Sequence, residues 1–204
     1  MKNLKSIAVA LIAFVSVTSF AQVSKKVDAT KSTINWVGKK VTGEHSGNIM
    51  LKEGALIFKG KKVVGGNFTV DMTTINTTDL EGKGKTNLDG HLKSDDFFGT
   101  AKFPTATFEI KSSKALPKPD AQGNTHEITG DLTIKGVTKP NTFPAKVEIK
   151  GNNVVAMGTV KVDRTAYGVK YNSGKFFPNI GDKMINDEFT IDLKIAAVAP
   201  AAKK

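Results

Sequence analysis

Apolar and polar side chains alternate with a period of two along much of this chain, and that pattern constrains the fold more than any other feature. Residues 104–112 place Ala106, Phe108 and Ile110 on one face and Thr107, Glu109 and Lys111 on the other. The same period recurs in segments that contain Ile34 and Trp36, Phe68 and Val70, Leu132 and Ile134, Val147, Val160, and Phe189 and Ile191. A period of two is typical of a half-buried β-strand.

The spacing of these segments predicts an all-β fold of eight or nine antiparallel strands, with Gly54 as a bend or a hairpin within residues 47–59. The expected turns are short, at Lys61-Lys62, at residues 136–140 and at residues 151–153. A meander with one apolar face must either close on itself or pair face to face with a second sheet.

Two polar segments interrupt the alternation, at residues 76–103 and 164–186. The first is too long for a plain turn. Asn87 and Ser94 are residues of the kind that begin helices, so this segment is predicted to hold one or two short helical turns. Long excursions from a regular meander often carry function.

The first 21 residues have the features of a cleaved export signal. Two lysines, Lys2 and Lys5, precede an apolar run at residues 7–17, and Ser19-Phe20-Ala21 has the form that signal peptidase cleaves. A membrane anchor is the alternative, but the run is shorter than the roughly 20 residues that a spanning helix needs. The predicted mature protein begins at Gln22 and is soluble in the periplasm.

The remaining chain reads as one domain over residues 22–196, followed by a frayed tail over residues 197–204 that is rich in Ala, Pro and Lys. There is no cysteine among the 204 residues. This excludes disulfides, thiolate metal sites, a cysteine nucleophile and the acylated cysteine of a lipoprotein.

The chain is basic, but the distribution of its charge argues against nucleic acid as a partner. The formal net charge of +11 falls to +9 without Lys2 and Lys5. Arg164 is the only arginine, whereas reading of bases and phosphates relies on that residue. Because the lysines are dispersed, we expect a solvated surface with a weak attraction to anionic membranes.

No arrangement of reactive side chains predicts catalysis, a metal or a cofactor. His45, His91 and His126 lie in separate segments without the spacing of metal ligands. The adjacent acids Asp95-Asp96 and Asp187-Glu188 do not suit a glycosidase, because neighbours in a strand or a cap point apart. No Gly-x-Ser-x-Gly motif is present.

Several blocks taken in order resemble the YceI-like family over about residues 27–196. They are the Trp36 strand, His45-Ser46-Gly47, residues 65–72, residues 91–98, residues 103–108, residues 130–138 and Asp163-Arg164-Thr165-Ala166-Tyr167-Gly168. The resemblance implies an extended, lipocalin-like antiparallel β-barrel in the periplasm that binds a long isoprenoid or similar amphiphile. The family's Leu-Arg-Ser block has Lys93 at its centre here, and Gly99 replaces the acidic residue after Phe-Phe, so a head-group contact near that segment is not carried over.

The resemblance leaves open whether the interior is hollow. An eight-stranded barrel is either filled by side chains or holds one small ligand. Small residues at inward positions predict room; these are Gly66, Ala106, Gly130, Ala145, Ala156 and Gly158. The alternative is that the glycines mark bulges or corners of a filled core.

The expected function is therefore to bind a polyisoprenoid or fatty-chain lipid as a carrier or reservoir. The residues predicted to line the cavity are Ile34, Trp36, Phe68, Val70, Ala106, Phe108, Ile110, Leu132, Ile134, Val147, Val160, Phe189 and Ile191. Arg164 and Tyr167 are assigned to structure or to the cavity mouth, with Asp182 or Asp187 as partners for the guanidinium. A lipid-modifying enzyme, and a filled barrel that acts in stress or adhesion through its basic surface, are the alternatives.

Overall fold

A computed structural model describes residues 22–60, 62–151 and 153–198. The predicted export signal lies outside these residues. The strands are β1 (Gln22–Val27), β2 (Thr33–Lys40), β3 (Gly43–Lys59), β4 (Lys62–Thr77), β5 (Thr105–Ala115), β6 (His126–Ile134), β7 (Val137–Lys150), β8 (Asn153–Asp163) and β9 (Ile185–Val198). One α-helix, α1 (Gly82–Lys93), and three short 3-10 turns complete the described fold.

The strands form a closed antiparallel barrel, as the alternation and the family resemblance predicted. Each strand from β2 onwards pairs with the next one along the chain, apart from the helical excursion between β4 and β5, and β9 pairs with β2 to close the ring. β1 pairs with the end of β3 and with the last residues of β9. It therefore continues the position of β2, and the barrel has eight staves with one of them interrupted.

The two ends of the barrel differ. The end that we call the helix end carries the turn between β2 and β3, residues 78–104 with α1, and residues 164–184. The opposite end, which we call the turn end, carries residues 116–125 and the turns that follow β3 and β7.

The half of the barrel near the turn end is a packed core. Phe58 is 2% exposed and Val154 and Ala197 are each 1% exposed. Ala197 pairs with Val27 on one side and with Val154 on the other. This half therefore holds its strands together by close contact between side chains, as protein interiors normally do.

Several predicted boundaries were wrong. Gly54 is neither a bend nor a hairpin, because β3 runs unbroken for 17 residues and absorbs the irregularity as shifts of register against β4. The turn expected at residues 136–140 is confined to Lys135 and Gly136, both with positive φ. Two residues with φ above zero form the tight hairpin that suits the twist of antiparallel strands.

The excursion after β4 also differs from its prediction. It contains a single 12-residue helix, in which Asn87 is an interior residue and Ser94 is the C-cap. Neither residue begins a helix, and Glu81 occupies the N-cap position without a side-chain cap. At the other end of the chain, Ala197 and Val198 belong to β9, so the segment predicted to be frayed begins too early by two residues.

None of the helices in the described part of the chain is long and apolar enough to cross a bilayer.

Candidate functional site

An apolar cavity of about 160 Å³ lies in the half of the barrel near the helix end. Strands β2, β4, β5, β6 and β9 supply most of its wall through their inward-facing side chains. Its lining consists of Ile34, Trp36, Gly38, Ile49, Val70, Met72, Ile75, Leu92, Phe97, Phe98, Ala106, Thr107, Phe108, Leu132, Ile134, Arg164, Ile185, Asn186, Phe189 and Ile191.

Trp36 forms one side of the cavity and depends on a glycine beside it. Gly47 is its partner across β2 and β3, and a β-carbon on Gly47 would stand 2.5 Å from Cζ2 of the indole. The indole N–H donates to the carbonyl of Asn48 at 3.3 Å. Because its polar atom is already bonded, Trp36 presents only an apolar surface to the cavity.

Phe108 separates the cavity from the packed half of the barrel. Its ring covers Gly130, where a β-carbon would lie 2.5 Å from Cζ, and it contacts the ring of Phe143 at a centroid distance of 5.6 Å. In the same way, Phe143 stands over Gly158, with ring atoms 3.3 Å from the position of a β-carbon. The glycines therefore accommodate aromatic rings instead of leaving empty space.

This arrangement corrects part of the reasoning from small residues. Gly66, Gly130 and Gly158 were expected to make room, but neighbouring side chains fill the space above each of them. Of the small inward residues, Ala106 alone belongs to the cavity lining. The room lies nearer the helix end, where the strands meet the helix and the loops instead of another layer of side chains.

Phe97 and Phe98 cover the cavity at the helix end. Phe97 is 6% exposed, and the ring of Phe98 meets that of Phe189 at a centroid distance of 6.2 Å. Lys135 holds this turn in place, since its ammonium donates to the carbonyls of Asp95 and Phe97, each at 2.7 Å. The cover is thus tied to the hairpin between β6 and β7.

Helix α1 is held beside this cover by polar contacts, for none of its residues is buried. The Lys85 ammonium donates to Oδ1 of Asn76 at 2.6 Å, to the Thr77 carbonyl at 2.8 Å and to Oδ2 of Asp89 at 2.7 Å. Oδ1 of Asp89 accepts from the Thr77 backbone N–H at 2.7 Å. Burial favours the neutral form of Asp89, but these hydrogen bonds outweigh it and lower the pKa of the carboxyl below its ordinary value.

Arg164 closes the remaining side and is 3% exposed. Its guanidinium donates to the carbonyls of Val169, Ile185 and Asn186, each at 2.9 Å. Asp187 supplies a carboxylate oxygen 3.7 Å away, whereas Asp182 makes no recorded ion pair with it. Burial lowers the pKa of Arg164, partly offset by the charges of Asp187 and Asp163. The sole arginine thus ties loop carbonyls together and also forms part of the cavity wall.

Tyr167 is 3% exposed and belongs to the hydrophobic core instead of the cavity lining. Burial raises the pKa of its phenol. It lies in the 3-10 turn that Arg164 begins, where Asp163 caps the turn by accepting from the Thr165 backbone N–H at 2.9 Å.

The structure brings nine of the thirteen side chains predicted to line a cavity to one continuous surface: Ile34, Trp36, Val70, Ala106, Phe108, Leu132, Ile134, Phe189 and Ile191. The other four, Phe68, Ile110, Val147 and Val160, pack in or against the core and do not reach the cavity. Alternation alone assigns a side chain to the interior; it does not show how far along the barrel the hollow extends.

Other lining residues were not among those predicted from the sequence: Gly38, Ile49, Met72, Ile75, Leu92, Phe97, Phe98, Thr107, Ile185 and Asn186. A signal for Phe97 and Phe98 was present, because two adjacent phenylalanines stand in an otherwise polar segment. Met72 and Ile75 continue the inward row of β4 beyond Val70. No comparable signal marks Ile185 or Asn186, whose backbone carbonyls bind Arg164.

The cavity wall offers little reactive chemistry. Its only polar side chains are those of Thr107, Arg164 and Asn186. Throughout residues 22–60, 62–151 and 153–198, no three His, Cys, Asp or Glu side chains are grouped so that they could hold a metal ion. What this arrangement can do is surround an apolar group with aromatic and aliphatic side chains.

The chain matches the family model for the YceI-like domain over residues 26–197. The protein belongs to the YceI-like family. Curated relatives include Protein YceI of Escherichia coli O6:H1, which is 46% identical over 80 residues, 39% of this chain and 38% of that relative. UPF0312 protein PSPA7_0523 of Pseudomonas paraeruginosa is 40% identical over 97 residues, 43% of this chain and 47% of the relative. The chain therefore spans less than half the length of these curated relatives.

Solved structures share the YceI-like fold at low sequence identity. BcnA of Burkholderia cenocepacia matches with a TM-score of 0.62 and 23% identity, over 84% of this chain and 99% of BcnA. A polyisoprenoid binding domain from Saccharophagus degradans, described as implicated in plant cell wall breakdown, matches with a TM-score of 0.62 and 15% identity, over 88% of this chain and all of that domain. These similarities establish the lipocalin-like barrel.

Proposed function

We propose that this YceI-like protein is a periplasmic carrier or reservoir that holds the apolar chain of a polyisoprenoid or similar long-chain lipid inside its barrel. The observation that carries the proposal is the cavity, because all but three of its twenty lining residues have apolar side chains or none. The name of the Saccharophagus degradans relative, a polyisoprenoid binding domain, supports the same class of ligand.

The chemistry of the wall favours binding over catalysis. The Arg164 guanidinium, which is the only charged lining group, already donates to three carbonyls. Thr107 and Asn186 have no acidic or basic lining neighbour other than Arg164. An enzyme that acts on the same lipid would need a nucleophile or an acid and base directed at the ligand, and this wall supplies neither.

The size of the cavity indicates how the ligand is accommodated. A cavity of about 150 Å³ in another protein holds one benzene molecule, so the cavity here, at about 160 Å³, fits a single branched unit of an isoprenoid. A longer chain requires the cover to shift. Phe97 and Phe98 are the side chains whose outward movement would extend the cavity toward the helix end.

Selectivity in such a site follows from length and shape. Burial of each methylene contributes roughly 0.8 kcal/mol without regard to orientation. Aromatic rings from Trp36, Phe98, Phe108 and Phe189 would set the width of the chain that fits. The head group would stay outside the apolar wall.

The proposed location in the periplasm rests on residues 1–21, whose charged start, apolar run and small-residue ending have the form of an export signal. N-terminal sequencing of the protein from a periplasmic extract checks this: a start at Gln22 supports the proposal, and a start at Met1 contradicts it.

Native mass spectrometry of protein purified from its own periplasm tests the function. We expect a fraction of the molecules to carry one lipid, and we expect lipid that is added and recovered to be chemically unchanged. Recovery of a modified lipid would instead favour the enzyme. Protein that carries no lipid and takes none up would favour a barrel that acts through its basic surface.

A further inference from the structure

Apolar side chains are concentrated on the surface of the helix end. Phe176 and Phe177 are 44% and 47% exposed, and Tyr171 is 37% exposed. They are the three exposed aromatic residues in the described part of the chain, and all belong to the segment between β8 and β9. Val41, which is 53% exposed, lies in the turn beside them, since its N–H donates to the Met184 carbonyl at 3.2 Å.

Lysines accompany this apolar surface. Residues 168–184 contain Lys170, Lys175 and Lys183 against a single acid, Asp182. The Lys170 ammonium lies 4.6 Å from the centroid of the Phe176 ring, so a positive charge stands immediately beside an exposed aromatic ring. Aromatic side chains with flanking lysines are typical of surfaces that rest in the head-group layer of a bilayer.

The same segment is in contact with the cover of the cavity. The ring of Tyr171 meets that of Phe97 at a centroid distance of 5.7 Å and that of His91 at 4.5 Å. Phe97 in turn lines the cavity. A membrane bound at Phe176 and Phe177 would therefore lie next to the side chains that must move to admit a long chain.

We propose that the apolar surface formed by Val41, Tyr171, Phe176 and Phe177 docks on a bilayer that contains anionic phospholipid and that ligand is exchanged there. This inference rests on the proposed lipid-binding function and adds the place of exchange. The partner is a membrane because the surface combines exposed aromatic rings with positive charge. Each lysine near an anionic surface contributes about 1 kcal/mol of attraction, and insertion of the rings adds apolar burial.

Co-sedimentation with vesicles tests the docking. The probes are vesicles of phosphatidylcholine alone and of phosphatidylcholine mixed with phosphatidylglycerol. We expect the wild-type protein to sediment with the mixed vesicles and to be released by salt. The double variant Phe176→Ser with Phe177→Ser should lose most of this binding, and so should Lys170→Glu with Lys183→Glu.

Matched variants away from the helix end serve as controls. Val23 and Met50 are 48% and 68% exposed, and both lie outside the proposed surface. Val23→Ser with Met50→Ser should bind vesicles as the wild type does. Lys114→Glu with Lys150→Glu changes the net charge equally at the turn end and should have a smaller effect than the pair at the helix end. Equal loss in the two pairs, or no vesicle binding by the wild type, would overturn the docking proposal.

A second readout separates this inference from the function on which it rests. Trp36 is the only tryptophan and lines the cavity, so a bromine-labelled isoprenoid alcohol delivered from cyclodextrin reports binding by quenching its fluorescence. We expect the Phe176→Ser, Phe177→Ser variant to be quenched as the wild type is. Wild-type quenching without vesicle binding overturns the docking alone, whereas absent quenching of the wild type overturns the lipid-binding function.

Discussion

Trp36 and Gly47 face each other across β2 and β3, and the indole ring occupies the space where a side chain on the glycine would begin. The same relationship joins Phe108 to Gly130. The barrel interior is therefore shaped by aromatic rings that lie flat over glycines. The cavity exists where this filling stops, at the helix end.

Replacement of Gly47 by alanine should disturb both stability and the cavity. The new β-carbon would meet the Asn76 carbonyl and the Trp36 ring, so the ring must move toward the cavity. We expect a loss of about 3 kcal/mol, the upper end of the range for overpacked cores, measured by denaturant unfolding. Gly38→Ala is the control, because a β-carbon there has no atom within 4 Å. A loss as large in Gly38→Ala would contradict the explanation.

Phe108→Ala should enlarge the cavity at a moderate cost in stability. Phe108 already borders empty space, so we expect the loss to lie near the lower limit of the roughly 3–5 kcal/mol typical for a deleted core phenylalanine. Phe143→Ala, in the packed half at 7% exposure, should cost more and should leave lipid binding nearly unchanged. Thermal unfolding and lipid retention distinguish the two variants. If Phe108→Ala costs as much as Phe143→Ala and leaves lipid retention unchanged, Phe108 is an ordinary core residue.

Arg164→Lys should lower stability before it lowers affinity for lipid. A lysine cannot reproduce the planar set of donors that binds the carbonyls of Val169, Ile185 and Asn186. Buried carbonyls would lose their partners, at about 1–3 kcal/mol for each unsatisfied group. The melting temperature provides the measurement, with the exposed Lys161→Arg as a control. A tenfold loss of lipid affinity with an unchanged melting temperature would show that Arg164 acts on the ligand instead.

Acid should loosen helix α1 through Asp89. The folded-state pKa of this carboxyl lies below its unfolded value, so the contribution of Asp89 to stability is complete above the ordinary aspartate pKa of about 4 and is lost as the pH falls through the lower folded value. NMR signals of α1 amides, followed against pH, should report this transition.

Asp89→Asn should remove that transition because the side chain no longer titrates. Asp120→Asn is the matched control, since Asp120 also has a lowered pKa but lies in the loop at the turn end. An unchanged transition in the Asp89 variant would show that another group controls the docking of α1.

The sequence was sufficient to predict the strands and the closure of the barrel, because alternation records which side chains face inward. It was insufficient to locate the hollow, because Phe68 and Phe189 show the same alternation, yet Phe68 covers Gly54 whereas Phe189 lines the cavity. The difference depends on which residues stand opposite across the barrel. The role of Lys135 was similarly hidden, since its contacts with Asp95 and Phe97 join segments about 40 residues apart.

Helix α1 shows the limit of local propensity. Its sequence is rich in glycine and lysine, and it buries no residue. Its position follows from Lys85 and Asp89 bonding to the end of β4. Cap preferences at Asn87 and Ser94 therefore gave the wrong helix boundaries, because tertiary polar contacts outweighed them.

Quenching of Trp36 by a bromine-labelled isoprenoid chain tests the central claim most directly, provided that the wild type is compared with Gly38→Leu and Lys39→Leu. Gly38 lines the cavity and has open space at its β-carbon, so leucine there should fill the hollow without strain, whereas Lys39 is exposed on the opposite face of the strand. We predict saturable quenching with one chain bound per molecule in the wild type and in Lys39→Leu. Displacement of about three methylenes should weaken binding more than tenfold in Gly38→Leu. Undiminished Trp36 fluorescence in the wild type, or equal affinity in Gly38→Leu, would contradict a ligand held in this cavity.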